Sequence, residues 1–348
     1  MNQILPAAAA AKDGTAIRRG IQARAESGDI LGAIAFGQAA NRSIRDPLVE
    51  QTLVSLRATA FPALRLAAVK ATPAAALDPF PGLDGVPEIA AADLTAEILA
   101  GAILHHGSLL VRGLLDRADA IRLRHDMDRA FEARAAFVGG TPVEQTTPWY
   151  ARVEDNNAPG VSRPFVENFD GIWTADSPRI LYTLIEHFTR NGILGLVGDV
   201  LGEPPTLSIG KSTLRRVGRD VGTDWWHQDG AFLGAGIRTV NIWLALSECG
   251  QDAPGLDVLS RRVPDIVPTG TDGAHFGWSV GRAMVDRLCA DGARIVSPVF
   301  APGDALLFDQ MMLHCTGVRP HMTQTRWAIE TWMFAPSTFP MEQLPLVL

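Results

Sequence analysis

The segment Thr239 to Leu246, TVNIWLAL, constrains the fold more than any other stretch of this chain. Val240, Ile242, Leu244 and Leu246 fall on one side, and Thr239, Asn241, Trp243 and Ala245 on the other. That period of two belongs to a β-strand with one oily face and one mixed face. RWAIETWMF, Arg326 to Phe334, repeats it: Arg326, Ala328, Glu330, Trp332 and Phe334 oppose Trp327, Ile329, Thr331 and Met333. Pro302-Gly303-Asp304 is a turn feeding a further strand, ALLFD. From Thr206 onward the chain reads mainly as strands and turns. Strands whose inner face is polar suit a barrel or jelly roll that holds a site inside.

The first half reads differently. Thr15 to Arg57 has helical spacing, with a turn at Gly28-Asp29 and a helix start at Asp46-Pro47. This is a helical hairpin that cannot bury its own apolar face, so it is expected to pack on the main domain or on a second subunit. Ala71 to Pro87 is rich in Pro, Ala and Gly and reads as a linker. The expected organisation is a hairpin extension over 1–70, a linker over 71–90 and a main domain over 91–348. Within the main domain a helix near Leu94–Leu104, a strand Ser108 to Arg112 and a helix Arg117 to Phe131 come first. A polar, aromatic-bearing segment from Gly139 to Pro178 reads as a lid or surface wrapping. One long helix then spans 177–202.

Composition excludes several classes. The net charge of −7 over 348 residues leaves no footprint for nucleic acid. Three cysteines without CxxC spacing argue against a disulfide framework or a zinc ribbon and fit a reducing compartment. No run reaches membrane-spanning length and the N-terminus lacks a basic n-region, so the expected location is cytoplasmic.

TDWWHQDGAF, Thr223 to Phe232, carries the one H-x-D of a chain with eight histidines, His227-Gln228-Asp229. Residues two apart on a strand point to the same side, so imidazole and carboxylate can reach one ion. By itself the pair is a weak signal, since a chance H-x-D is common and a salt-bridged loop would look the same. His314, after the Pro-Gly-Asp strand, supplies a second imidazole. Arg326 follows on the mixed face of the next strand. Two His and one carboxylate form the facial triad of non-haem Fe(II) oxygenases, with positions left open. An arginine fork is suited to the carboxylate of a dicarboxylate cosubstrate.

WWHQDGAF, VNIWLAL, DAPGLDVLSRRV, PGDALLFDQMMLHCTGV and TRWAIE together resemble the phytanoyl-CoA dioxygenase family of Fe(II)/2-oxoglutarate oxygenases. The resemblance is good over Thr206 to Phe334, weaker from Leu94 and absent before that. It implies an α+β, mainly β chain: a double-stranded β-helix (jelly-roll, cupin-like) core flanked by helices, here with the N-terminal helical hairpin. It implies that His227, Asp229 and His314 ligate catalytic iron and that Arg326 binds the distal carboxylate of 2-oxoglutarate. Thr316 matches a hydroxyl that helps hold that carboxylate, and Trp243 matches a tryptophan on the strand after the H-x-D. The family often has a lysine well upstream; Lys211 stands too close to His227 for that place, and Asn241 is the substitute. Asp229 keeps the carboxylate that halogenase relatives lose. The implied activity is hydroxylation of a small organic substrate with O2, releasing succinate and CO2.

Two other readings stay open: a cupin-like metal enzyme that does not use 2-oxoglutarate, and a non-catalytic scaffold. The lid aromatics favour an apolar or partly aromatic small molecule, with Arg238 or Arg163 as partners for an anionic group. Neither nucleic acid nor membrane is an expected partner, and a homodimer is an open expectation.

Overall fold

Aspartates open the N-terminal helices. In this computed structural model, which describes residues 13–67, 76–154, 163–222 and 224–348, Asp13 caps α1 (Gly14–Glu26) and Asp29 caps α2 (Ile30–Ala40). Asp46 accepts from the amides of Leu48 and Val49 to start α3 (Pro47–Thr59), with Pro47 in its first turn. α4 (Phe61–Ala67) follows. The expected helical segment, Thr15 to Arg57, is the three helices α1 to α3, with α3 starting at the expected Asp46-Pro47, and α4 extends it. Its apolar face is buried on the same chain: Ile17, Ile21, Ala33, Val49 and Leu53 pack with Tyr182. Buried Arg57 donates to the Val347 carbonyl at 2.8 Å. Of the expected linker, 71–75 lies outside the described residues, 76–87 is irregular, and 88–90 is strand β1 (Glu88–Ala90).

The next elements are α5 (Ala96–His106), β2 (Ser108–Arg112) and α6 (Arg117–Val138). Gly107 joins α5 to β2 at φ 85°, a left-handed turn that glycine adopts without strain. The segment from Gly139 to Pro178 is less irregular than its composition suggests. It holds α7 (Val143–Thr146), α8 (Arg163–Asn168) and β3 (Gly171–Trp173), and its residues 155–162 lie outside the described ones. The single long helix expected over 177–202 is two, α9 (Pro178–Arg190) and α10 (Ile193–Leu201). Gly192 at φ 72° breaks it.

The remaining strands are β4 (Thr206–Ser208), β5 (Thr213–Val217), β6 (Thr239–Ala245), β7 (Gly255–Leu259), β8 (Ile295–Val296), β9 (Ala305–Phe308), β10 (His314–Gly317), β11 (Arg326–Phe334) and β12 (Pro345–Val347). Helices α11 (Gly230–Leu233) and α12 (Arg282–Ala290) interrupt them, in a region expected to be mainly strands and turns. Nine strands make the large sheet, in the order β1-β2-β9-β6-β11-β4-β12, with β5 pairing β11 and β3. β10-β7-β8 make the small sheet. The two sheets form the double-stranded β-helix.

The two faces of the large sheet part as the alternation predicts. Val240, Ile242, Leu244, Ile329 and Met333 pack under the helices with Leu123, Ile180 and Val197. Burying an aliphatic side chain of this size stabilises by about 2 kcal/mol, so this face fixes the sheet against its helical layer. Trp243, Phe308, Ala328 and Trp332 turn the other way, toward Leu256 and Val258 of the small sheet. The site lies between the sheets.

Candidate metal centre and its pocket

His227 and His314 pair backbone to backbone across a β-bridge, N–H to carbonyl at 2.9 and 3.1 Å. Strand alternation then sends the side chains of His227 and Asp229 to one side and Gln228 to the other. Gln228 is buried; it donates to the carbonyls of Met311 at 2.9 Å and Asp265 at 3.1 Å and accepts from the Val267 amide at 2.9 Å. It anchors the H-x-D from behind.

One ligand atom each from His227, Asp229 and His314 lie within 4.8 Å of one another. The Nδ1 atoms meet backbone carbonyls, of Trp225 at 2.8 Å for His227 and of Met312 at 3.0 Å for His314. Such bonds fix the tautomer and leave Nε2 as the electron-pair donor. Burial, then the neighbouring His314, lowers the His227 pKa to about 4, so its ring is neutral at neutral pH. Burial opposes ionisation of Asp229, but Lys211 and the two imidazoles outweigh it and hold the carboxyl below its usual range.

A cavity of about 390 Å³ opens on these three residues. Asn241, Trp243, Thr316 and Arg326, all expected at the site, line it. Arg326 is 2% exposed and donates from Nη1 to the Gly255 carbonyl at 2.9 Å. Its Nε, Asn241 Oδ1 and Trp243 Nε1 are buried without a hydrogen-bond partner among the described residues. No carboxylate of those residues forms a salt bridge with Arg326, and burial lowers its pKa to about 10. A buried guanidinium in that condition is costly unless an anion completes it. The donor set thus fits a divalent metal beside a carboxylate-bearing cosubstrate.

Lys211, Thr213, Arg215 and Glu330 line the pocket without having been foreseen as site residues. Lys211, set aside on sequence distance, reaches Asp229 Oδ1 at 2.6 Å. Register brings the others: Glu330 of β11 lies opposite Thr213 of β5, and Ala328 opposite Arg215, so Thr213 and Arg215 share the inner face with Arg326 and Glu330. Glu330 accepts from Thr213 at 2.9 Å and lies 3.6 Å from Arg215 Nε. Burial raises its pKa, but Arg215, Lys211 and the Thr213 bond prevail and it is lowered overall. Aromatic rings form the mouth. Trp225 points into the pocket while Trp226 is buried elsewhere, as alternation predicts. Phe169, Phe165 and Trp278 join Trp225 there, and Phe276 stacks on Trp278 at 5.1 Å.

Other candidates stay apart. Arg238 is bound by Glu203, the Leu201 carbonyl and Ser337, and Arg163 by Asp176 and the Val153 carbonyl, so neither is a pocket cation. His106 pairs with Asp78 at 2.8 Å, and His321 meets the Gln251 carbonyl at 3.2 Å. Cys315 is buried on the opposite face of β10, in a cluster with Trp226. None of the three cysteines forms a disulfide, and no described helix is long and apolar enough to cross a membrane.

A jelly roll that brings two histidines and a carboxylate together beside a buried arginine defines a class of metal-dependent oxygenases. The family model for phytanoyl-CoA dioxygenase matches residues 104–319. The chain belongs to the phytanoyl-CoA dioxygenase family, a family of Fe(II)/2-oxoglutarate oxygenases. No curated protein matches it. Among solved structures it is similar to EctD from S. alaskensis with 2-oxoglutarate and 5-hydroxyectoine, at 16% identity and TM-score 0.48 over 78% of this chain and 84% of that one. It is similar also to the non-haem α-ketoglutarate-dependent carbocyclase SnoK from nogalamycin biosynthesis, at 14% and 0.46 over 72% and 87%. The epimerase SnoN in complex with Fe3+, α-ketoglutarate and nogalamycin RO matches at 13% and 0.42 over 69% and 83%.

Proposed function

We propose that this protein is an Fe(II)- and 2-oxoglutarate-dependent hydroxylase acting on a small organic substrate. The observation that carries the reading is Arg326, a buried guanidinium with no acid partner among the described residues, lining the same cavity as the His227–Asp229–His314 cluster. His227 and His314 would donate Nε2 to iron and Asp229 a carboxylate oxygen. Arg326 receives the distal carboxylate of 2-oxoglutarate, with the Thr316 hydroxyl beside it. Asn241 and Trp243, whose buried polar atoms lack partners, orient the cosubstrate from the floor of the large sheet. Iron bound there would couple the decarboxylation of 2-oxoglutarate to succinate with insertion of one oxygen atom of O2 into a substrate C–H bond. The rings at the mouth exclude bulk water and hold an apolar substrate body.

The same reading treats 91–348 as the catalytic domain, 71–90 as a linker and 1–70 as an extension. It places the protein in the cytoplasm, gives it a small-molecule substrate rather than nucleic acid or membrane, and leaves the N-terminal helices to be tested for homodimer formation. The direct test is an anaerobic titration of the metal-stripped protein with Fe(II) and then 2-oxoglutarate. A weak visible charge-transfer band that needs both, and is lost in Asp229→Ala and His314→Ala, is the expected result. Absence of the band in the wild type rejects the reading.

A further inference from the structure

Charge among the described residues of the pocket does not balance. Among the described residues, the charged groups lining it are the cations Lys211, Arg215 and Arg326 and the carboxylates Asp229 and Glu330. One positive charge is in surplus. A divalent metal and a doubly charged dicarboxylate cancel each other, so loading the site leaves that surplus in place. A low-dielectric cavity makes an uncompensated cation costly, and a substrate of opposite charge removes the cost.

Geometry shows which cation is open to a substrate. Lys211 is paired with Asp229, and Arg326 lies at the cosubstrate end of the pocket. Arg215 has Glu330 as its acid neighbour, and what it leaves open to a substrate is the far end of its guanidinium. Its Nε donates to Thr213 at 3.2 Å and lies 3.6 Å from Glu330. Neither of its terminal nitrogens has a hydrogen-bond partner among the described residues, although its side chain is only 16% exposed. A guanidinium held at Nε and open at both Nη atoms is a preset fork for a two-oxygen anion.

The fork stands beside the aromatic mouth. Arg215 pairs with Gly171 of β3, and Phe169 lies just before that strand. Phe169 meets Trp225 at 5.2 Å, Trp225 meets Phe276 at 4.9 Å, and Trp278 lies 5.5 Å from the His227 ring. A flat body lying among these rings would carry a substituent to Arg215 while another edge faces the metal cluster.

We propose that the substrate is an organic anion: an aromatic or otherwise flat apolar body held by the rings at the mouth, bearing a carboxylate or phosphate received by the Arg215 fork. This rests on the oxygenase reading of the pocket. Arg215 is then a specificity-determining residue, and Glu330 and Thr213 position it by holding Nε.

The test is calorimetric. 1-Naphthoate, 1-naphthyl phosphate and 1-naphthalenemethanol are titrated into the full-length protein loaded with Mn(II) and saturating 2-oxoglutarate, and into the unloaded protein. At least one anion should bind ten-fold or more tightly than the alcohol, and the stronger of the two identifies the oxyanion. In Arg215→Gln the preference should vanish with alcohol affinity unchanged; Arg215→Lys, which keeps charge without the fork, should retain part of it. Equal affinity for anions and alcohol in the wild type overturns the proposal, as does no binding of any probe, or a preference that survives Arg215→Gln. The wild-type comparison holds whether or not a variant folds. Failure of Mn(II) and 2-oxoglutarate to bind counts against the oxygenase reading, while the unloaded titrations still measure the anion preference.

Discussion

The ammonium of Lys211 lies 2.6 Å from Oδ1 of Asp229, while Oδ2 of the same carboxylate faces Nε2 of His314 at 3.8 Å. The two oxygens are divided between a protein cation and the metal cluster. In the metal-free protein Lys211 is the largest influence favouring the ionised carboxylate against burial. Removing one partner of such a pair leaves a buried charge uncompensated, at a cost of about 3 kcal/mol. Lys211→Met should therefore destabilise the metal-free protein by about that amount. Mn(II) should then restore more stability to the variant than it adds to the wild type, because the metal supplies the missing positive charge. Urea denaturation with and without Mn(II) reads both quantities. Equal metal stabilisation in the two proteins would mean that Lys211 and the metal do not share Asp229.

Arg326 makes a contrasting case. Its guanidinium is buried with one backbone bond and no acid among the described residues. Arg326→Gln should weaken 2-oxoglutarate binding by about 100-fold, equivalent to about 3 kcal/mol, while Mn(II) affinity in the absence of cosubstrate stays unchanged. Calorimetry on the two ligands separately makes the distinction. An unaltered 2-oxoglutarate affinity would hand the distal carboxylate to another cation of the pocket.

Gln228 is the residue between the two ligands, and its three hydrogen bonds tie the H-x-D to two loops. Gln228→Leu preserves volume and leaves the buried Met311 carbonyl and Val267 amide, and the part-buried Asp265 carbonyl, without it. A loss of about 3 kcal/mol follows from stranding such groups. Mn(II) affinity should also fall, since the backbone that aims His227 and Asp229 is released. A variant that is destabilised but binds Mn(II) normally would show that Gln228 supports the fold and not the aim of the ligands.

What could be read in the sequence depended on how local the signal was. The two faces of β6 and β11 follow from alternation alone, and so does the division of labour between Trp225 and Trp226. Asn191-Gly192 carried the signal for the break between α9 and α10, and Met284, Val285 and Leu288 carried a helical pattern for α12, in segments that gave stronger cues of other kinds. The unforeseen site residues are a different matter. Thr213 and Arg215 reach the pocket only because β5 pairs with β11 in one register, and a shift of one residue would turn both outward. Lys211 is close to His227 in sequence, yet it approaches Asp229 from just before β5, outside the small sheet. Separation along the chain does not measure position across a jelly roll.

Two histidines predict how stability depends on pH. Burial, then Arg190 and Arg122, lowers the pKa of His187 to about 4, and burial with His314 lowers His227 to about 4. An unfolded histidine takes up its proton near pH 6.5. As pH falls below that value the unfolded chain binds these protons while the folded protein refuses them until about pH 4. The unfolded state therefore binds more protons across this window, and folding stability falls with falling pH. In the metal-free protein, the urea midpoint should decline from about pH 6.5 to about pH 4, after which these two groups contribute no further slope. His187→Phe removes one of the two protons refused and keeps a ring in the same packing, so its decline should be shallower. If the wild type and His187→Phe lose stability in parallel over that window, the His187 ring takes up its proton in the folded protein as readily as in the unfolded chain.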